Sequence, residues 1–433
     1  MSLGGWMAQR VPIALLLATL LIAGVSQPAR AGGGGGYDLS GIAVLTPTGN
    51  PQLDTAQRIA LAVLAQNFDG VTHSASAGYY SNPWIRDSFA WGMIPSRRDP
   101  NLAAYSSSEL SYWLAKQQPF GGWLTAPLSG YFDETAILIG AVLDAYHVTG
   151  DLNQVRRALP RLERGWRWLA HSYIRPSKGS GVLLYANVPP HVAADWVDEV
   201  ARTGYATQLE ALWYNATRSM SIMEGMIRHD GKATYYHAFA ARIRRDINRL
   251  LWTTAAPYRY GAPKAGPVGH YRSWLGPRDY FELDSNFLCI LYGIADPAQA
   301  AGIVGFVQQH QSFLLGLDSV TGLPAKVLYG EYAPADYARK RNRIGRGIYQ
   351  NAYWPSVGAL VAMGFARAGH IAEGRTILVR IGQTIVAQGD IREWYAEDGA
   401  GKGAPHFQWA ARMFLIALCR LYPHPPSAAT SQT

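Results

Sequence analysis

Three stretches of this 433-residue chain bring carboxylates together with indoles and guanidiniums. The first, YYSNPWIRDSFAWGM, holds Trp84, Arg86 and Asp87. An aspartate accepts and an arginine donates hydrogen bonds to neighbouring hydroxyls, while an indole offers a flat apolar face, so the trio could grip a sugar ring. An Arg–Asp pair that pins a loop accounts for the same letters. The second, ADWVDEVARTGYATQLEALWYNATRSM, sets Asp195, Trp196, Asp198 and Glu199 ahead of an apolar helix. An indole beside a carboxyl excludes water and raises its pKa, as a general acid requires. Helix capping by Asp195 or Asp198 is the alternative. The third, IREWYAEDGAGKGAPHFQWAARMF, puts Glu393 between Arg392 and Trp394. A carboxylate held ionised by a neighbouring arginine could serve as a base; Glu397 and Asp398 are its rivals in a glycine-rich turn.

These stretches need a frame, and the rest of the chain is dominated by helical periodicity. Helices are predicted over about 53–68, 101–118, 133–150, 152–174, from Thr207 onward, and over 231–252, 297–310, 353–369, 370–388 and 405–422. Short joints such as HVTGDLNQ and FARAGHIAEG make antiparallel helix pairs. Strand signals are few: VLLYANVPP, YRYGAP and LPAKVLYGEYAP read as small hairpins. No 34-residue self-similarity supports a tetratricopeptide solenoid. The aromatic and acidic residues sit in the long connections, which fits an all-α toroid whose working face is made of loops.

Residues 1–31 carry Arg10, an apolar run and a small-residue site at Ala29–Ala31, the pattern of a secretory signal cleaved after Ala31. A flexible glycine-rich leader over 32–40, one domain over 41–423 and a disordered tail over 424–433 are expected to follow. The expected location is secreted or periplasmic, without stable membrane insertion after cleavage. The formal net charge is +9, and loss of the two arginines of the signal lowers it by two. That suits an anionic polymer or surface, but the basic clusters are too short and separate to argue for nucleic acid. Cys289 and Cys419 lie in apolar runs and read as core thiols. Neither C-x-x-C nor H-E-x-x-H occurs, so no metal and no cofactor are expected.

Taken in order, the motifs resemble those of the six-hairpin, (α/α)6-barrel glycosidases: the amylo-1,6-glucosidase part of glycogen-debranching enzymes, processing α-glucosidase I and neutral invertases. WIRD resembles their W/F-x-R-D segment, and DETAILIGAVLDAYHVTGD their helix hairpin. DWVDEVARTGYATQLEALWYNA resembles W-M-D … G … E-I-x-A-L-W-Y-N-A. FELDSNFLCILYGIADPAQAAGI, NAYWPSVGALVAMGFARAG and EWYAEDGAGKGAPHFQWAARMF resemble three further segments in family order. The resemblance implies an exported inverting glycoside hydrolase acting on an α-glucosidic bond of an oligo- or polysaccharide. Its general acid falls on Asp198 and its general base on Glu393. Arg86 and Asp87 would hold the sugar next to the scissile bond, and Trp84, Asp133, Trp196, Trp354 and Gln408 would complete the pocket. There are departures. Gln208 stands where the family has a glutamate, and Trp409-Ala410 is shifted by one from the family's W-S. The chain also has no room for a separate β-rich domain. Two other classes stay open: a polysaccharide lyase or hydrolase for acidic glycans, drawing on His191, His406 or a tyrosine, and a non-catalytic sugar-binding toroid.

Overall fold

The computed structural model describes residues 37–423 apart from 38, 41, 90–99, 126–131, 187–194, 198, 201, 261–265, 316–328, 338–351 and 397. The expected signal, most of the leader, the tail, Asp198, Glu397 and His191 therefore lie outside the described residues. No helix among those described is long and apolar enough to cross a membrane.

The helices run α1 Pro51–Asn67, α2 Ile85–Phe89, α3 Pro100–Ala115, α4 Asp133–Thr149, α5 Leu152–Tyr173, α6 Thr207–Met226 and α7 Asp230–Leu250. They continue with α8 Leu283–Tyr292, α9 Pro297–Gln309, α10 Gln311–Leu314, α11 Pro355–Arg367, α12 Ile371–Gln388 and α13 Gln408–Leu421. Local chemistry sets their ends. Asn50 accepts from the N–H groups of Gln52 and Leu53 with Pro51 leading α1, and Asp296 and Gln299 form a capping box on α9. At the Gly-Asp joint, Gly150 closes α4 in the left-handed conformation and Asp151 caps α5.

Burial sorts these helices into two layers. In α5, Val155, Ala158, Leu159, Leu162, Trp166 and Leu169 form one buried stripe, the pattern of a helix wetted on its far side. In α11 every residue from Pro355 to Phe365 is buried, and α4, α8 and α13 are buried nearly all round. The contacts follow. α2, α4, α6, α8, α11 and α13 each pack on the next, and α13 packs on α2, closing an inner ring. Helices α3, α5, α7 and α12 back their inner neighbours, α1 packs on both α12 and α13, and α9, next in sequence after α8, packs on α10. The expected all-α toroid of helix pairs is the architecture observed.

The ring has a polarity that matters for chemistry. Buried polar residues gather where inner helices begin: Arg86 and Asp87 on α2, Asp133 and Glu134 on α4, Gln208 and Glu210 on α6, Asp284 on α8 and Gln408 on α13. The strands differ from expectation. β1 Trp252–Thr253 pairs with β2 His270–Tyr271, and β3 Trp394–Tyr395 with β4 Gly401–Lys402. Residues 182–186 make only isolated bridges, Ala186 with Gly204 among them. Residues 258–260 and 329–334 form no strand, and the remainder of those two expected hairpins lies outside the described residues. No disulfide joins buried Cys289 to half-buried Cys419.

Candidate active site

One cleft, with a cavity of about 160 Å³, opens where the inner helices begin. Trp84, Arg86, Asp87, Trp196, Trp354 and Glu393 line it, together with Ala75, Tyr80, Phe407 and Trp409. Residues more than 300 positions apart in sequence thus share one wall.

The short helix α2 supplies the charged pair. The Arg86 guanidinium forks onto Asp133 at the start of α4, Nε donating to Oδ2 at 3.1 Å and Nη2 to Oδ1 at 3.2 Å. Both partners are buried, so the two bonds fix the guanidinium plane as well as its charge. Asp133, expected in the pocket wall, instead stands behind it and orients Arg86. Burial pushes its carboxyl up to about 6 against the pull of Arg86, with Asp195 adding to the rise. Asp87 is pushed by burial up to about 7, opposed by Arg86, by its own backbone N–H and by Arg412. A carboxyl poised there can donate or accept toward a sugar hydroxyl near neutral pH.

Glu393 precedes β3 and is 4% exposed. The β3–β4 hairpin holds it. Its N–H donates to the Ala404 carbonyl at 2.9 Å, and the Ala404 N–H donates back to its Oε2 at 2.9 Å. The Tyr80 hydroxyl approaches the same oxygen at 3.5 Å. Gly403 makes this possible: its φ is 65°, and a Cβ there would lie 2.6 Å from Glu393 Oε2. Arg392, expected to hold Glu393 ionised, forms its ion pair with Asp390 at 3.4 Å.

Three indoles form the apolar wall. Trp196 meets Trp354 edge-on at 5.1 Å between ring centroids and Trp409 at 5.3 Å. Trp196 is locked by its Nε1–H, which donates to Asp284 Oδ2 at 2.8 Å. Burial pushes Asp284 up to about 7, with Glu282 adding and Arg202 opposing. Asp195 is not a helix cap. It accepts from the Val197 N–H at 3.0 Å and pairs with Arg202. Arg202 in turn donates to Glu282 at 2.6 Å and to Gln208 at 3.2 Å, so the Gln208 departure falls inside this buried network. Asp198 lies outside the described residues, while Val197 and Glu199 on either side of it are buried.

Gln408, the other residue expected in the wall, is fully buried behind it. Oriented to satisfy both ends of its amide, it donates to the Ser74 carbonyl at 3.1 Å and accepts from Arg412 Nε at 3.0 Å. Arg412 pairs with Glu109 at 2.5 Å. Burial opposes ionisation of Glu109, but Arg412 and His73 outweigh it and hold that carboxyl below the usual range. Trp409, one residue on, takes the pocket position. Tyr80, Phe407 and Trp409 line the pocket without being singled out by type; each lies within a motif stretch, but helix phase and hairpin geometry decide which of two neighbours points inward.

No protein-family model matches the chain, and no curated protein matches it in sequence. Solved structures do match. The GH63 mannosylglycerate hydrolase from Thermus thermophilus, in complex with Tris and D-glycerate, superposes with a TM-score of 0.58 at 16% identity, over 83% of this chain and 99% of that one. A bacterial glucoamylase complexed with acarbose gives 0.60 at 13% identity, over 85% of this chain and 55% of that one. A wild-type glycosidase gives 0.58 at 16% identity, over 86% and 97%. At these identities the likeness establishes the fold, the six-hairpin (α/α)6 toroid found in those glycosidases.

Proposed function

We propose that this protein is an inverting glycoside hydrolase that cleaves an α-glucosidic bond in an oligo- or polysaccharide, with Asp198 as general acid and Glu393 as general base. The observation that carries the reading is the convergence of Trp84, Arg86, Asp87, Trp196, Trp354 and Glu393 on one cleft. The mannosylglycerate hydrolase and the acarbose-bound glucoamylase among its structural relatives support a glycosidic substrate. The apolar run of residues 1–31 supports export.

In this reading the residues divide the labour. The indoles offer apolar faces to the sugar ring, and Arg86 and Asp87 hold its hydroxyls. Glu393, held by the Ala404 N–H and the Tyr80 hydroxyl, takes a proton from the attacking water. Asp198 gives one to the leaving oxygen. An inverting pair must stand about 6.5–9.5 Å apart to admit that water. Glu393 then releases its proton to solvent and Asp198 takes one up, which restores both carboxyls without a cofactor.

The test is substitution. Asp198→Asn and Glu393→Gln should each keep the parent melting curve and lose nearly all turnover. The parent enzyme should show a bell-shaped pH–rate profile, its acidic limb from Glu393 and its basic limb from Asp198. Near-parental turnover in either variant would overturn the assignment.

A further inference from the structure

The far end of the inner ring holds a second cavity, of about 360 Å³ against about 160 Å³ for the cleft above. Its walls come from α4, α6, α8, α11 and α13, near the ends opposite the cleft. Asp144 stands eleven residues beyond Asp133 on α4, about 16 Å along the helix axis. Arg218 of α6, Arg367 of α11 and Arg420 of α13 line this cavity. All three are exposed, and among the described residues none of the three guanidiniums is held in an ion pair or side-chain hydrogen bond.

Three unpaired guanidiniums around one cavity call for an explanation. Arg367 and Arg420 sit in the last turns of their helices, where they offset the partial negative charge of the helix ends. Arg218 lies two turns before the end of α6 and serves no terminus. The acidic lining residue is Asp144; burial pushes its carboxyl up to about 7, against the pull of Arg420 and Arg218. Asn215 and Ser219 add neutral donors and acceptors to the same wall.

We propose that this cavity is a second ligand site, distinct from the catalytic cleft, for a hydroxyl-bearing oxyanion such as a phosphorylated or carboxylated sugar. Planar guanidiniums match the paired oxygens of phosphate and carboxylate. Asp144, Asn215 and Ser219 would take the hydroxyls. The site does not depend on what the cleft hydrolyses.

The experiment is isothermal titration of the full chain at low salt with three probes: inorganic phosphate, glucose 6-phosphate and glucuronate. One site is expected, with glucose 6-phosphate or glucuronate bound more tightly than phosphate; whichever leads names the anionic group. Arg218→Ala combined with Arg420→Ala should weaken binding at least about tenfold, and Arg367→Gln alone should weaken it less. Arg86→Ala, in the cleft, should leave it unchanged. Melting curves establish that the variants fold; Arg218, Arg367 and Arg420 are exposed, whereas Arg86 is buried. No heat with any probe up to about 10 mM, affinity unchanged in the double variant, or loss of binding in Arg86→Ala would each overturn the proposal. So would phosphate binding as tightly as both sugars.

Discussion

If Glu393 is the general base, Gly403→Ala should remove most turnover without replacing a side chain that performs chemistry. The added methyl would lie 2.6 Å from Glu393 Oε2 and 2.6 Å from Trp394 Nε1. Ordinary contact needs about 3.5 Å, so the carboxylate must retreat by roughly 0.9 Å. It must do so while the N–H of Ala404, the next residue, still anchors Oε2. Misplacing a reacting group by about 1 Å costs on the order of a hundredfold in rate. We therefore expect kcat to fall about a hundredfold with KM little changed, because the proposed role of Glu393 is on the water rather than on bound sugar. The φ of 65° adds about 1–2 kcal/mol of strain for any side chain. Gly389 is the control: its φ is 63° and nothing lies within 4 Å of a Cβ there. Gly389→Ala should lose similar stability and keep its kcat. Steady-state kinetics on both variants, beside urea melts, decide the matter. Parental kcat in folded Gly403→Ala would refute Glu393 as the base, since a displaced base cannot work at full rate.

Arg202 is buried and bridges Asp195 and Glu282. Arg202→Met leaves two buried carboxylates without their shared cation and should lose about 3–5 kcal/mol in denaturant unfolding; an unchanged midpoint would show that the network is dispensable. Stability should also fall as pH rises from about 4 to about 7. Over that window folded Asp87, pushed up to about 7 from 3.8 by burial, retains a proton that the unfolded chain has released. Urea midpoints measured at pH 5 and pH 7.5 should therefore show the protein weaker at the higher pH, and Asp87→Asn should reduce the difference.

Much of this is legible because the outer helices carry their own punctuation. The Gly150–Asp151 joint and the stripe of α5 mark a helix pair in the letters alone. Helix α8 escapes the sequence reading: its buried run LDSNFLCI has apolar and polar residues alike inside, so no amphipathic period marks it. Helix α2 is too short to show a period at all. The same distinction governs the site. Arg86 and Asp87 can be singled out by type, but nothing in the sequence says that Asp133 would orient Arg86 from behind rather than face the pocket. Nor does it say that Gln408 would turn toward Arg412 and yield the wall to Trp409. Those outcomes depend on partners up to hundreds of residues away, and on which face of a helix start the ring leaves open.

The central claim is inversion at an anomeric carbon by two carboxyls. Proton NMR follows the protein lacking residues 1–31 mixed with α-glucans, sucrose, trehalose, mannosylglycerate and acidic glycans, recorded before mutarotation. The account predicts that the first anomeric signal from a cleaved α-glucoside is the β-anomer. An α-anomer appearing first, or the vinyl protons of an unsaturated uronate, would contradict it.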